Sequence, residues 1–148
     1  MSEYDTDLLV WSTHQAELLR RMGAGERVND QVDWENLAEE IESLGRSEKR
    51  ALENRVATIL VHLVKLSVSS AEAPRGGWQE TIFEQRRRLA RILRDNPSLR
   101  RSVAQVIADE LPGAREQASI ALHRYGEPPV SPELSFSEDQ VLGPWLPE

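Results

Sequence analysis

Glu35, Glu39 and Glu42 stand at spacings of 0, +4 and +7, so a helix over this stretch carries three carboxylates on one face. Clustered carboxylates with an imidazole nearby can hold a divalent metal, as in metal sites of helical bundles. His14 is the imidazole within reach. It lies nine residues before Gly23, and Glu42 lies nine residues after Asp33, so antiparallel helices joined by the intervening loop would bring the two to one height. A divalent metal held by His14, Glu39 and Glu42 is one expectation. A solvated acidic face is the plainer one, because the chain has neither an ExxH pair nor an HExxH. No other cofactor is expected.

Arg87, Arg91 and Arg94 repeat the same spacing within a run that also holds Arg86 and Arg88, with Arg100 and Arg101 beyond it. Guanidinium groups so placed can track phosphates. They can equally pair with the Glu35, Glu39 and Glu42 face, within the molecule or across a dimer, or simply face water. Exposed pairs contribute about 0–1 kcal/mol each, so such a ladder would set register and partner choice more than stability. No aromatic residues interleave with the arginines to stack on bases, which ranks nucleic acid third among the partners.

Four further polar residues sit where apolar ones are expected or beside them. His62 lies between Val61 and Leu63 in the most apolar segment, and reads as a buried base, a metal ligand, or a core-edge imidazole bonded to a carbonyl or carboxylate. Glu48 falls inside an apolar stripe and needs a partner or solvent, with Arg55 and Arg86 as its candidate partners. Gly76-Gly77 lacks the spacing and the lysine of a phosphate loop, and no serine–histidine arrangement suggests a triad.

The element that must position these groups runs from Asp33 to Leu66. At 100° per residue Trp34, Leu37, Ala38, Ile41 and Leu44 share a face with Leu52, Val56, Ile59, Leu63 and Leu66. Gly45 either ends one helix of a hairpin, with Ser47 capping the next, or sits inside a single helix at a cost of about 1 kcal/mol relative to Ala. The retained phase favours one helix, about 50 Å long and bent at Gly45. In a straight helix Glu40 and His62 would lie about 33 Å apart, whereas a hairpin could bring them together. The half after Leu52 is apolar on more than one side and reads as the core.

Around it, Thr6 or Asp7 can cap a first helix that ends at Gly23, with Leu8, Trp11, Leu18 and Met22 as its stripe and Gln15 inside that stripe. Trp78 opens a helix carrying Ile82, Leu89 and Leu93. Asp95-Asn96-Pro97 stops it, and Asn96 caps a further helix that Pro112-Gly113 kinks or breaks. Residues 126–148 hold five of the eight prolines, and Ser137 to Gln140 matches a capping box. The expected fold is all-α: a bundle of about five helices with a long central helix. One bundle domain spans residues 1–126, and a Pro-rich tail over residues 127–148 packs on it through Trp145 and Leu146.

A length of 148 residues suits one domain with a real core. Only eight residues are aromatic, so Trp11, Trp34 and Trp78 are expected to anchor packing. The absence of cysteine excludes disulfides, thiolate metal sites and a cysteine nucleophile. No run approaches the ~20 apolar residues of a spanning helix, and the acidic start lacks a signal core, so a cytoplasmic location and no membrane partner are expected. The net charge of −7 is sorted along the chain: residues 1–74 hold 14 acidic and 8 basic side chains, residues 75–124 hold 6 and 10, and residues 125–148 hold 5 and none. The overall acidity argues against nonspecific nucleic-acid binding, although residues 75–124 are locally basic, and the sorting itself favours charge-complementary contacts.

The order YDTDLLVW, QAELLRR, DWENLAEEIESLG, HLVKL, GGWQETIFEQRRRLARIL, NPSLR and QVLGPWLPE resembles the bacterial domain-of-unknown-function 29 family over essentially the whole chain. DWENLAEEIESLG is the most specific part, and the loop from Ala73 to Gly77 departs from the family's serine-containing version. The resemblance implies a small, all-helical bacterial protein, found especially in cyanobacteria and proteobacteria, and no activity. The charge sorting and the lack of a strong catalytic motif make the leading expectation a non-enzymatic helical protein acting through contacts with a protein partner or with itself. A metal-dependent phosphoesterase using the Glu/His cluster is the alternative.

Overall fold

Short polar residues set the helix boundaries. Ser2 and Asp5 form a capping box around the single turn α1 (Glu3–Thr6), and the Asp7 carboxylate then accepts from the Val10 amide to start α2 (Leu8–Gly23). Beyond α2, Gly25 takes φ +95° while the Gly25 and Glu26 amides donate to the Met22 and Arg21 carbonyls. This Schellman ending requires a residue that tolerates the left-handed region, which is why the chain turns at Gly25.

The computed structural model describes all 148 residues, and no residue lies in a strand. Six α-helices follow one another, four of them long: α1, α2, α3 (Trp34–Val68), α4 (Arg75–Asp95), α5 (Val103–His123) and α6 (Glu138–Leu142), with 3-10 turns at Asn29–Gln31 and Pro97–Ser102. No helix is long and apolar enough to cross a membrane. The chain divides into two compact units, Met1–Arg46 and Ser47–Glu148. The division falls inside α3, and residues 127–148 belong to the second unit.

α3 runs unbroken through Gly45, so the helical hairpin is not formed. A Cβ at Gly45 would meet nothing within 4 Å, so no close approach demands glycine there. From Leu44 to Arg50 every side chain is exposed.

The first unit has a small core of Leu18, Val28 and Val32, with Met22 and Leu37 against it. Trp11 is also buried and meets Tyr4 edge to face, with ring centroids 4.9 Å apart. The second unit holds the larger core: Leu52, Val56, Ile59, Leu60, Leu63, Val64 and Leu66 of α3 are buried with Ile82 and Leu89 of α4 and with the inner face of α5. That apolar face of α3 is as broad as the sequence requires of a helix buried among several neighbours.

α5 passes through Pro112 and Gly113 without a break. Both residues lie on its exposed face, where water can satisfy the carbonyl that proline leaves without a donor, while Leu111 and Ala114 are buried beside them and hold the helix in place. Ser137 and Gln140 form the expected capping box of α6. Phe136 and Val141 are buried in the core of the second unit, and Leu146 packs against it.

Candidate interaction surface

Within the first unit the start of α3 is held by polar groups. Gln15, only 4% exposed, accepts the Asp33 amide at 2.8 Å. The Trp11 indole donates to Asp33 Oδ2 at 3.0 Å, and Asn36 Nδ2 donates to the same oxygen at 2.8 Å. These bonds, led by that of the Asn36 side chain, hold the Asp33 carboxyl below the usual carboxylate range. One turn on, the Tyr4 hydroxyl donates to Glu40 at 2.6 Å, which raises the phenol above its ordinary pKa.

Asp33, Asn36, Leu37, Glu40 and Ser43 are the partly covered positions of this half of α3. They recur at helical spacing, and all but Leu37 are polar. The apolar stripe expected to be core is turned outward beside these positions: Trp34 is 52% exposed, Ile41 60% and Leu44 70%. Trp34 is thus not the packing anchor that its size suggests. Its indole donates to the Asn29 carbonyl at 2.9 Å, and the rest of the ring meets water. The physical reason is that the Tyr4, Trp11 and Gln15 bonds rotate the polar edge of α3 inward, and only Leu37 of the stripe reaches the small core. Leu8, Leu9 and Val10 of α2 are exposed as well. Trp34, Ile41 and Leu44 share one exposed edge of α3, which makes that edge a candidate interaction surface.

The acidic residues flank that stripe. Arg46 Nη2 lies 2.6 Å from Glu39 and its Nη1 lies 3.7 Å from Glu42, so one guanidinium serves both carboxylates. Glu35 is exposed at the start of the helix. His14 Nδ1 instead lies 3.1 Å from Glu3. His14, Glu39 and Glu42 are therefore not brought together, and no group of three His, Asp or Glu side chains is placed to hold a metal ion.

In the second unit Arg87 and Arg88 both pair with Glu84, at 3.0 and 2.9 Å, and lower its carboxyl pKa. Arg94 pairs with the adjacent Asp95 at 3.1 Å. Arg87, Arg88, Arg91 and Arg55 line a shallow groove of about 400 Å³ that also receives Glu48 and Glu84.

The four isolated polar residues find partners that spacing alone did not name. Glu48 is exposed and accepts from Asn96 Nδ2 at 2.8 Å, rather than from Arg55 or Arg86. Arg55 Nη1 donates to Gln85 at 3.0 Å, and its Nε is buried without a partner. His62 Nδ1 donates to the Thr58 carbonyl at 2.8 Å, and partial burial pushes its pKa below the ordinary imidazole value. Arg86 binds the tail: its Nε donates to the Val141 carbonyl and its Nη2 to those of Gln140 and Trp145, at 2.7–2.9 Å. Carbonyl acceptors carry no sequence signature, so only the acidic stretch around Glu40 and the isolated Gln15 hinted at any of these contacts.

No curated protein and no solved structure matches the chain. The family described as "Domain of unknown function DUF29" matches residues 3–146, nearly the whole length, in agreement with the sequence resemblance. The chain belongs to that family.

Proposed function

We propose that this helical protein acts through protein–protein contact, and that its first contact is with a second copy of itself along the amino-terminal half of α3. The observation that carries this reading is the exposure of Trp34, Ile41 and Leu44 on a helix whose polar edge is turned inward. These three positions are spaced 0, +7 and +10 along one edge of the helix, a spacing found in coiled-coil seams, while Leu37 between them is taken up by the small core. Covering the exposed part of these side chains is worth about 1–2 kcal/mol each, more than the surrounding ion pairs at about 0–1 kcal/mol.

Charge supports a partner of the same sequence. α3 carries Glu35, Glu39, Glu40 and Glu42, then Arg46, Lys49 and Arg50. Two copies aligned antiparallel along this stretch set the acidic half of each against the basic half of the other, an isologous contact that closes as a dimer. The Glu35, Glu39 and Glu42 face is then part of the interface. The Arg87, Arg91 and Arg94 face remains available to a further, acidic partner.

Sedimentation equilibrium at low and high salt tests the dimer. The wild-type chain is expected to dimerise in the micromolar range, and Ile41→Glu/Leu44→Glu to remain monomeric with unchanged helix content. Wild-type protein that stays monomeric at all concentrations and salts overturns the reading.

A further inference from the structure

The second unit contains a cavity of about 630 Å³, within the range of small-molecule sites, at the place where α3 and α5 end and α4 begins. Three local structures build it. α3 stops at Val68, and Ser69, itself buried, fixes the following loop: its hydroxyl accepts the Ala71 amide at 3.1 Å, and its carbonyl accepts Arg75 Nη1 at 3.0 Å. α5 ends in a second Schellman turn, in which Gly126 takes φ +68° and the Gly126 and Glu127 amides donate to the His123 and Leu122 carbonyls. The Ser69 hydroxyl then donates to Glu127 Oε1 at 2.7 Å, tying the two helix ends together.

The walls combine apolar area with charge. Trp78 and Leu122 line the cavity, and Tyr125, 82% exposed, stands at it with almost all of its ring uncovered. Lys65 and Arg124 line it too, and Lys65 Nζ lies 5.8 Å from the Trp78 ring centroid. None of the chain's ion pairs uses Lys65 or Arg124. Each lies at the carbonyl end of its helix, which accounts for a cation there but leaves the charged head free to take a ligand. The one carboxylate in the lining, Glu127, is held by Ser69, so two free cations face a single acid.

We infer that this cavity is a binding site for a small molecule with a flat apolar or aromatic body and one negative charge. The body lies against Trp78, Leu122 and Tyr125, and the anionic group meets Lys65 and Arg124. A cationic ligand of the same shape is refused by the same two side chains. This site shares no residue with the α3 stripe, so it stands whether or not the chain dimerises.

Isothermal titration with 2-naphthoate, and with 2-naphthylmethylammonium as the charge-reversed match, provides the test. The expected result is saturable binding of the carboxylate in the micromolar to low-millimolar range, no binding of the ammonium compound, and a loss of about tenfold or more in affinity in Lys65→Gln/Arg124→Gln. Should the Lys65 change disturb folding, Arg124→Gln/Tyr125→Ser alters only exposed side chains and is expected to weaken binding to a similar extent. The proposal is overturned if 2-naphthoate fails to saturate by low-millimolar concentration, if the folded double variants bind it as wild type does, or if both probes bind alike.

Discussion

The Trp11 indole N–H and the Asp33 carboxylate, 3.0 Å apart, join the first turn of α2 to the residue that precedes α3. Because Gln15 accepts the Asp33 amide at the same place, α3 enters the first unit with its polar edge inward. The exposed stripe of Trp34, Ile41 and Leu44 follows from these bonds.

Replacing Gln15 by Leu leaves the Asp33 amide without its acceptor. Asp33 is only partly buried, so the cost is expected at the low end of the about 1–3 kcal/mol of a buried donor deprived of its partner. The loss is expected in the first unit, as faster amide exchange over residues 8–40, with the second unit's exchange unchanged.

Arg86 holds three carbonyls with one planar fork. Arg86→Met is expected to destabilise the protein by about 2–3 kcal/mol in urea denaturation, since hydrogen bonds from a charged donor are at the strong end of the range. Arg86→Lys should recover little of this, because an ammonium cannot present the fork. Both variants should also raise the rate of proteolysis within residues 127–148.

Two glycines should respond in opposite directions to alanine. Gly45 lies inside α3 with open space where a Cβ would stand, so Gly45→Ala is expected to raise stability by about 0.5–1 kcal/mol. Gly126 occupies the left-handed region that ends α5, so Gly126→Ala is expected to lower it by about 1 kcal/mol. Chemical denaturation of the two variants beside wild type checks both signs.

Stability should fall with acid in two stages. His62 is kept neutral by burial, so its contribution is complete above its ordinary pKa of about 6.5 and declines as pH drops below that value. Asp33, favoured in its charged form chiefly by Asn36, and Glu84, favoured by Arg87 and then Arg88, contribute fully above about pH 4 and lose this as pH falls through their depressed values. Urea midpoints measured from pH 8 to pH 3 should show both stages, and His62→Gln should remove the upper one alone.

Much of the fold was readable from the chain because its signals are local. Asp7 as a cap, the capping box at Ser137 and Gln140, the passage of α3 through Gly45 and the core from Leu52 to Leu66 each follow from short-range spacing. Periodicity failed between Trp34 and Leu44, where it identifies an apolar face but cannot say which face is covered. Three side chains on other elements, Tyr4, Trp11 and Gln15, made that choice. A carbonyl partner for His62 was among the expected readings, but which carbonyl it meets, and that Arg86 meets three, were hidden for a related reason: backbone carbonyls are present at every position and distinguish none. The Lys65 and Arg124 cavity was equally hidden, since it is assembled by two helix endings far apart in sequence.

The seven consecutive exposed residues from Leu44 to Arg50 have a consequence for how the native protein comes apart. Apart from the exposed Glu48–Asn96 bond and the Arg46 ion pairs, these two turns rest on backbone hydrogen bonds alone, and with glycine's weak helix propensity they open at a lower free energy than either core. Arg46, Lys49 and Arg50 all fall within this stretch. Limited trypsin digestion of the folded protein therefore has its first cleavage here, and it yields an amino-terminal piece carrying Leu18, Val28 and Val32 and a larger one carrying the Leu52–Leu66 core.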